Sequence, residues 1–236
     1  RSPRPAAGRP VGARQSDASR AGGRRARAPV PLVAMATTTA SVAEVCAQAK
    51  AASRALASAS TETKNAALRA MAEGLEARAA EILEANERDM EAGRAADIGD
   101  ALLDRLKLTE ERLAGIAEGV RSVAELPDPV GEELERRTLY NGLDLRKVRV
   151  PLGVVAVVYE ARPNVTIDCS ALCIKSGNAI VLRGSSTAAH SNVVLAQVAR
   201  EAVASAGLPE AAVSIIAGGE RDELPELATH EGLVDL

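Results

Sequence analysis

Aromatic side chains are nearly missing: the chain has two Tyr and neither Trp nor Phe. A core must then be built from Ala, Val, Leu and Ile, and the stacking platforms that hold single-stranded nucleic acid have no material. A basic excess is missing too. The chain carries 29 Lys and Arg against 32 Asp and Glu, a net charge of −3. No global field draws in nucleic acid. Three Cys, at 46, 169 and 173, make no disulfide framework, so a reducing compartment is the default. No apolar run approaches the length of a membrane span. Neither G-x-G-x-x-G nor G-x-x-x-x-G-K-[ST] occurs. The standard dinucleotide and P-loop fingerprints therefore do not apply.

Catalytic constellations are equally scarce. His190 and His230 are the only His. Cys169 and Cys173 stand four apart on a predicted helix, but no His adjoins them and a metal site would need ligands from elsewhere. They read as small packed thiols, as does Cys46. His190, near a helix start, reads as a surface residue. No Ser/His/Asp or Cys/His set can be assembled, and no metal is assigned.

Residues 1–34 are rich in Arg, Pro, Gly and Ala, with Asp17 as the sole acid and no hydrophobic period. Such a segment cannot bury enough apolar surface to offset chain entropy, so a disordered extension is expected. Three origins fit: an acid-poor transit peptide, a nucleic-acid-binding arm, or an upstream extension ahead of Met35. The opening Arg favours the last, in a fragment.

Residues 35–126 read as helical. Val42, Val45, Cys46 and Ala49 share one face. A second helix, capped by Ser60 or Thr61, carries Leu68, Met71, Leu75, Ala79, Ile82 and Leu83 and is expected to stop before Gly93. A third spans about 109–125 with Leu113, Ile116, Val120 and Val123 inward. The charges between them read as solvated faces.

Residues 127–152 read as a hairpin and strand. Pro127 and Pro129 end the helices, and Asn141-Gly142 is a hairpin turn signal. From 153 to 236 the pattern alternates. Gly153–Tyr159 is an apolar run suited to burial on both faces. A helix over 164–176, a strand over 179–183, a helix over about 188–206 and a strand over 212–217 follow. A short helix after Asp222 and a strand beginning near Leu233 complete it. This order predicts an α/β fold with a parallel sheet, whose ligands bind beyond the carboxyl ends of the strands.

Three tips sit there: Glu160 to Asn164, Arg183 to Thr187, and Gly218-Gly219. Arg183-Gly184-Ser185-Ser186 suits a phosphate. The glycine lets backbone approach a ligand, the Arg fork and two hydroxyls supply donors, and the next helix adds free amides. The competing reading is a helix cap at Ser186 or Thr187 beside a surface Arg.

The stretch VRVPLGVVAVVYEARPNVTIDCSALCIKSGNAIVLRGSSTAAHSN, Val148 to Asn192, resembles the gamma-glutamyl phosphate reductases of the aldehyde dehydrogenase superfamily. P-L-G-V, Y-E-x-R-P-N-V-T, K-S-G-N and L-R-G-S carry the resemblance, which runs from about Ser41 to Leu236. It implies a family with a cofactor domain, a catalytic domain and an oligomerisation hairpin, in which residues 35–126 are the helical part of the cofactor domain, 127–152 a hairpin and strand segment and 153–236 a Rossmann-like NADPH-binding part. The catalytic domain and its Cys lie beyond this sequence. The reaction implied is NADPH-dependent reduction of L-glutamyl 5-phosphate to the semialdehyde in proline biosynthesis, in the cytoplasm. Implied partners are a second copy of the chain and glutamate 5-kinase as a channelling partner. By the same match Arg183, Gly184, Ser185 and Ser186 line the cofactor's ribose, with Arg183 and Ser186 suiting a 2′-phosphate. Glu160, Arg162 and Asn164 fall at the substrate pocket. Asn164 is either an oxyanion donor or a helix cap. Two other readings remain: a catalytically inactive nucleotide-binding module, and the dehydrogenase part of a bifunctional pyrroline-5-carboxylate synthase.

Overall fold

Ser41 opens the first helix with a reciprocal cap. Its hydroxyl accepts from Glu44 N and the Glu44 carboxylate accepts from Ser41 N, in a computed structural model that describes residues 40–216 and 223–236. Expectations for residues 1–34 and for Gly218-Gly219 lie outside the described residues. Helix α1, Val42–Ala57, buries Val42, Cys46, Ala49 and Leu56.

The single helix expected to stop before Gly93 is two. Helix α2, Thr61–Ala77, is capped by Ser60, and α3, Ala79–Ala95, follows after a break at Arg78. Arg78 leaves helical geometry and clamps the joint from outside, donating to Glu81 at 2.8 and 2.9 Å and to Glu201 at 2.9 Å. Gly93 lies inside α3 and does not end it. A Cβ there would meet Ile98 Cδ1 at 2.9 Å and Leu103 Cδ2 at 3.2 Å, so the glycine makes room for the next turn of chain. A short helix absent from the sequence reading, α4, Asp100–Leu106, comes next. Helix α5, Glu110–Glu125, is capped by Thr109 and buries Leu113, Ala117, Val120 and Ala124.

The Asn141-Gly142 signal is correct. Strands β1, Glu133–Thr138, and β2, Asp144–Val148, form an antiparallel ribbon around it, and every residue of both is exposed.

Beyond the ribbon lies a parallel sheet of β3, Val154–Val158, β4, Ala179–Arg183, and β5, Val213–Ile216, in the order β3-β4-β5. Helices α6, Asn164–Lys175, and α7, Ala189–Ser205, make the two crossovers, and α8, Glu223–Thr229, follows β5. Period-two alternation sorts β4 between two cores. Ile180 and Leu182 join the helices α2, α5, α6 and α7, while Ala179 and Val181 pack with Val42, Cys46 and Ala49 of α1 and Leu227 of α8. Burying the three large ones, Ile180, Val181 and Leu182, contributes about 1.5–3 kcal/mol each.

Two expectations at the sheet edge are corrected. β3 is not buried on both faces: Val154 is buried but Val158 is 55% exposed. A full strand does not begin near Leu233. A turn occupies that position, and Asp235 and Leu236 then run beside β3: Asp235 N donates to Val154 O at 2.9 Å and Leu236 O accepts from Ala156 N at 2.7 Å.

Candidate functional site

The strand ends are level. Val158 pairs with Arg183 and Arg183 with Ile216, so β3, β4 and β5 finish in one row. Arg183 stands at its centre, half-buried, with Nε 3.8 Å from Glu223 Oε2 at the start of α8. The sequence reading placed a cation alone at this tip, and the fold brings a carboxylate to it.

Below the row lies a buried polar chain. Tyr159 Oη and Thr166 Oγ1 share a hydrogen bond of 2.7 Å, and Thr166 donates to Asn192 Oδ1 at 3.1 Å. Burial pushes the Tyr159 phenol up to about 12. Gly184 has a packing role here: a Cβ would collide with Asn192 Nδ2 and come within 2.9 Å of Tyr159 Cζ.

The cap after β4 is Ser185, neither Ser186 nor Thr187. Its Oγ accepts from Thr187 N at 3.2 Å and starts a 3₁₀ turn, Ser186–Ala188, leading into α7. Ser186 is exposed. The free amides expected beyond it are taken. Asp89 of α3, 2% exposed, accepts from His190 N at 3.1 Å and Ser191 N at 2.8 Å. It also accepts from Ser191 Oγ at 2.6 Å and lies 2.8 Å from His190 Nδ1. A protein carboxylate already fills the positive end of α7. Its neighbour Asn86 completes the joint, accepting from Leu108 N at 2.7 Å and donating to Leu106 O at 2.9 Å.

Arg162 and Asn164 line a second feature, an open cleft of about 470 Å³ where α4 and α5 face the start of α6, and Glu160 is tied to it through two of its lining residues. Glu160 receives Arg105 at 3.1 Å and Arg162 at 3.2 Å. Two guanidinium groups thus share one carboxylate. Lys107 also lines the cleft. Asn164 is no helix cap. It is the first residue of α6, after Pro163, and its amide donates to Asp168 Oδ2 at 2.9 Å. Burial raises the Asp168 carboxyl, and the Asn164 bond opposes that rise. Arg105, Lys107 and Asp168 went unread because their charges resemble those of any solvated helix face.

The cysteines pack. Cys46 and Cys173 belong to the two cores and Cys169 is half-buried. Burial raises all three thiols, Cys173 to about 12. The K-S-G-N motif is structural too. Lys175 donates to Asn65 Oδ1 at 2.7 Å and Ala124 O at 2.8 Å, and Asn178 accepts from Gly153 N at 2.9 Å.

A parallel sheet with apolar cores on both faces and level strand ends is a Rossmann-like α/β arrangement. The chain belongs to the aldehyde dehydrogenase family, whose sequence pattern matches residues 29–234. Its relatives within that family include the gamma-glutamyl phosphate reductase of Kineococcus radiotolerans, 52% identical over 85% of this chain and 46% of that protein. Among solved structures, gamma-glutamyl phosphate reductase from Thermotoga maritima matches with a TM-score of 0.81 and 36% identity, over 83% of this chain and 47% of that one. The Saccharomyces cerevisiae enzyme of that name matches with a TM-score of 0.76 and 31% identity, over 83% and 50%. The chain spans about half the length of the relatives it matches. Enzymes of the family use nicotinamide cofactors. The residues at the β4 tip suit one in chemical kind: Arg183 carries a guanidinium, the group that pairs with phosphate, and Glu223 Oε2 is a buried acceptor to which no described residue donates.

Proposed function

We propose that the chain is the cofactor-binding half of an enzyme that reduces L-glutamyl 5-phosphate to L-glutamate 5-semialdehyde, releasing phosphate, in the second step of proline biosynthesis. The observation that carries this reading is the level row of strand ends with Arg183 at its centre, in a chain whose relatives are named gamma-glutamyl phosphate reductase. NADPH is the proposed reductant and supplies the hydride when bound. Arg183 holds its 2′-phosphate by a charge-assisted bond, contributing about 1.5–3 kcal/mol. Ser186 adds an exposed hydroxyl beside it, while Ser185 and Gly184 fix the backbone that carries both.

The cleft at α6 takes the acyl phosphate. Arg162 and Arg105 share Glu160, leaving a positive surplus toward the substrate's anionic groups, and Lys107 adds to it. Asn164 turns its amide to the developing oxyanion by releasing Asp168. Acyl transfer needs a thiolate to displace phosphate and form a thioester. Raised, packed thiols at Cys46, Cys169 and Cys173 do not suit that role. The nucleophile is assigned to the part of the relatives' length that this chain does not span. The bare ribbon of β1 and β2 is marginal alone, so a second copy of the chain is its proposed cover. Glutamate 5-kinase as a source of substrate, and a cytoplasmic setting, complete the reading.

The test is cofactor-dependent turnover by a full-length protein containing this sequence. With the semialdehyde and inorganic phosphate, NADP⁺ should be reduced only when phosphate is present. Arg183→Ala should weaken NADPH binding at least tenfold more than NADH binding, since about 1.4 kcal/mol is a factor of ten. Phosphate-independent turnover, or equal loss for both cofactors, is incompatible with the assignment.

A further inference from the structure

The tip of β4 carries both signs of charge. Arg183 Nε and Glu223 Oε2 stand 3.8 Å apart, with side chains 14% and 22% exposed. That separation is an ion-pair contact and too long for a hydrogen bond. Glu223 Oε2 is shielded from solvent, and no described residue donates to it. A shielded carboxylate oxygen without a donor is unfavourable by itself and favourable once a hydroxyl reaches it. Ribose hydroxyls are such donors, and acidic side chains accept from the 2′-hydroxyl in nicotinamide-cofactor sites, whereas Arg accommodates the 2′-phosphate. Here one side chain of each kind faces the same place.

We propose that Glu223 is a second reader of the cofactor's adenosine ribose. It accepts from the 2′-hydroxyl of an unphosphorylated cofactor and repels the 2′-phosphate that Arg183 attracts. Preference between the phosphorylated and unphosphorylated cofactor is then set by the Arg183–Glu223 pair. This rests on reading the β4 tip as the ribose site. Glu223 comes from α8, the helix after β5, so its distance to Arg183 is a tertiary product and can be tuned without touching β4.

Two nucleotides that differ only by the 2′-phosphate make the test. The 236-residue chain is titrated calorimetrically with 2′,5′-ADP and with 5′-ADP, as wild type, Glu223→Gln and Glu223→Ala, each with its helical circular dichroism intact. Removing the carboxylate's charge a few ångströms from the phosphate should tighten 2′,5′-ADP roughly tenfold in Glu223→Gln. The amide oxygen still accepts from a hydroxyl, so 5′-ADP should change less than threefold there and weaken only in Glu223→Ala. A ratio of the two dissociation constants in Glu223→Gln within twofold of wild type overturns the role of Glu223 and leaves the site reading intact. Failure of both nucleotides to bind the wild-type chain overturns the site reading, and this proposal with it.

Discussion

Asp89→Ala should destabilise the fold more than any surface substitution, because of what the carboxylate holds. Asp89 is 2% exposed and receives two backbone amides, at 3.1 and 2.8 Å, and the Ser191 hydroxyl at 2.6 Å, with the His190 ring at 2.8 Å. Removing it leaves the Ser191 amide and hydroxyl buried, although Asn86 Nδ2 still donates to that hydroxyl at 3.1 Å. Loss of a helix cap costs about 0.5–2 kcal/mol. Each buried group left without a partner adds about 1–3 kcal/mol. Partial relaxation and water entry reduce the sum, so about 3–4 kcal/mol is expected, a large part of the roughly 5–15 kcal/mol that holds a domain together. Urea unfolding followed by helical circular dichroism measures it, with the midpoint falling at unchanged slope. Asp89→Asn keeps an acceptor but turns an N–H₂ toward donors, so it should recover no more than about half the loss. A loss below about 1 kcal/mol in Asp89→Ala would refute the claim that this carboxylate anchors α7.

Two further outcomes follow from local geometry. Gly184→Ala drives a methyl into Asn192 and against Tyr159, so it should cost about 1–3 kcal/mol, read as a lower thermal midpoint, and a neutral result contradicts the packing role. Asp235 accepts from Lys50 at 2.6 and 2.7 Å and from Val154 N at 2.8 Å, which hold its carboxyl below the usual value. A carboxylate with a depressed folded-state pKa stabilises above its unfolded pKa and loses that contribution as pH falls through the folded value. Asp235→Asn should therefore flatten the fall in stability that sets in near the usual Asp value of about 4 and continues below it, and an unchanged acid limb excludes the linkage.

Local signals made the sheet readable, and contacts between distant residues did not. β4 was legible because Gly177-Asn178 and Gly184 bracket a run of strand length that is apolar from Ala179 to Leu182. Gly177 and Gly207 marked helix ends because each adopts a positive φ, 75° and 80°, that other residues avoid. The break at Arg78 had no such mark. Ala77, Arg78 and Ala79 are all good helix formers, and the break shows itself only in tertiary structure, where Arg78 reaches Glu201, 123 residues away. Asp89 sits in Glu87-Arg88-Asp89, a run that reads as a wet helix face, yet it is buried against residues 101 and 102 positions further on. Glu223 was invisible for the same reason. Its meaning comes from Arg183, across a strand pair, and no spacing rule joins them.

That distribution says where the family's sequence marks do their work. K-S-G-N ties α6 to α2 and α5 through Lys175 and to the start of β3 through Asn178. Within P-L-G-V, Pro151 lies where a Cβ on Gly177 would fall, with its Cγ 2.9 Å from that position, so the two motifs interlock at one end of the sheet. Tyr159 and Thr166, in the stretch between, support the other end through Asn192. Most motif residues therefore hold the strand ends level, and few face outward from them. If substrate or cofactor contact were the main constraint, the motif side chains would line the open tips. Instead Tyr159, Thr166, Lys175 and Asn178 are buried or half-buried, while Glu160, Arg162 and Ser186, with parts of Asn164, Arg183 and Ser185, reach the surface there. Chemistry at this end of the sheet depends on a small set of charged groups, and their positions are fixed by buried hydrogen bonds beneath them.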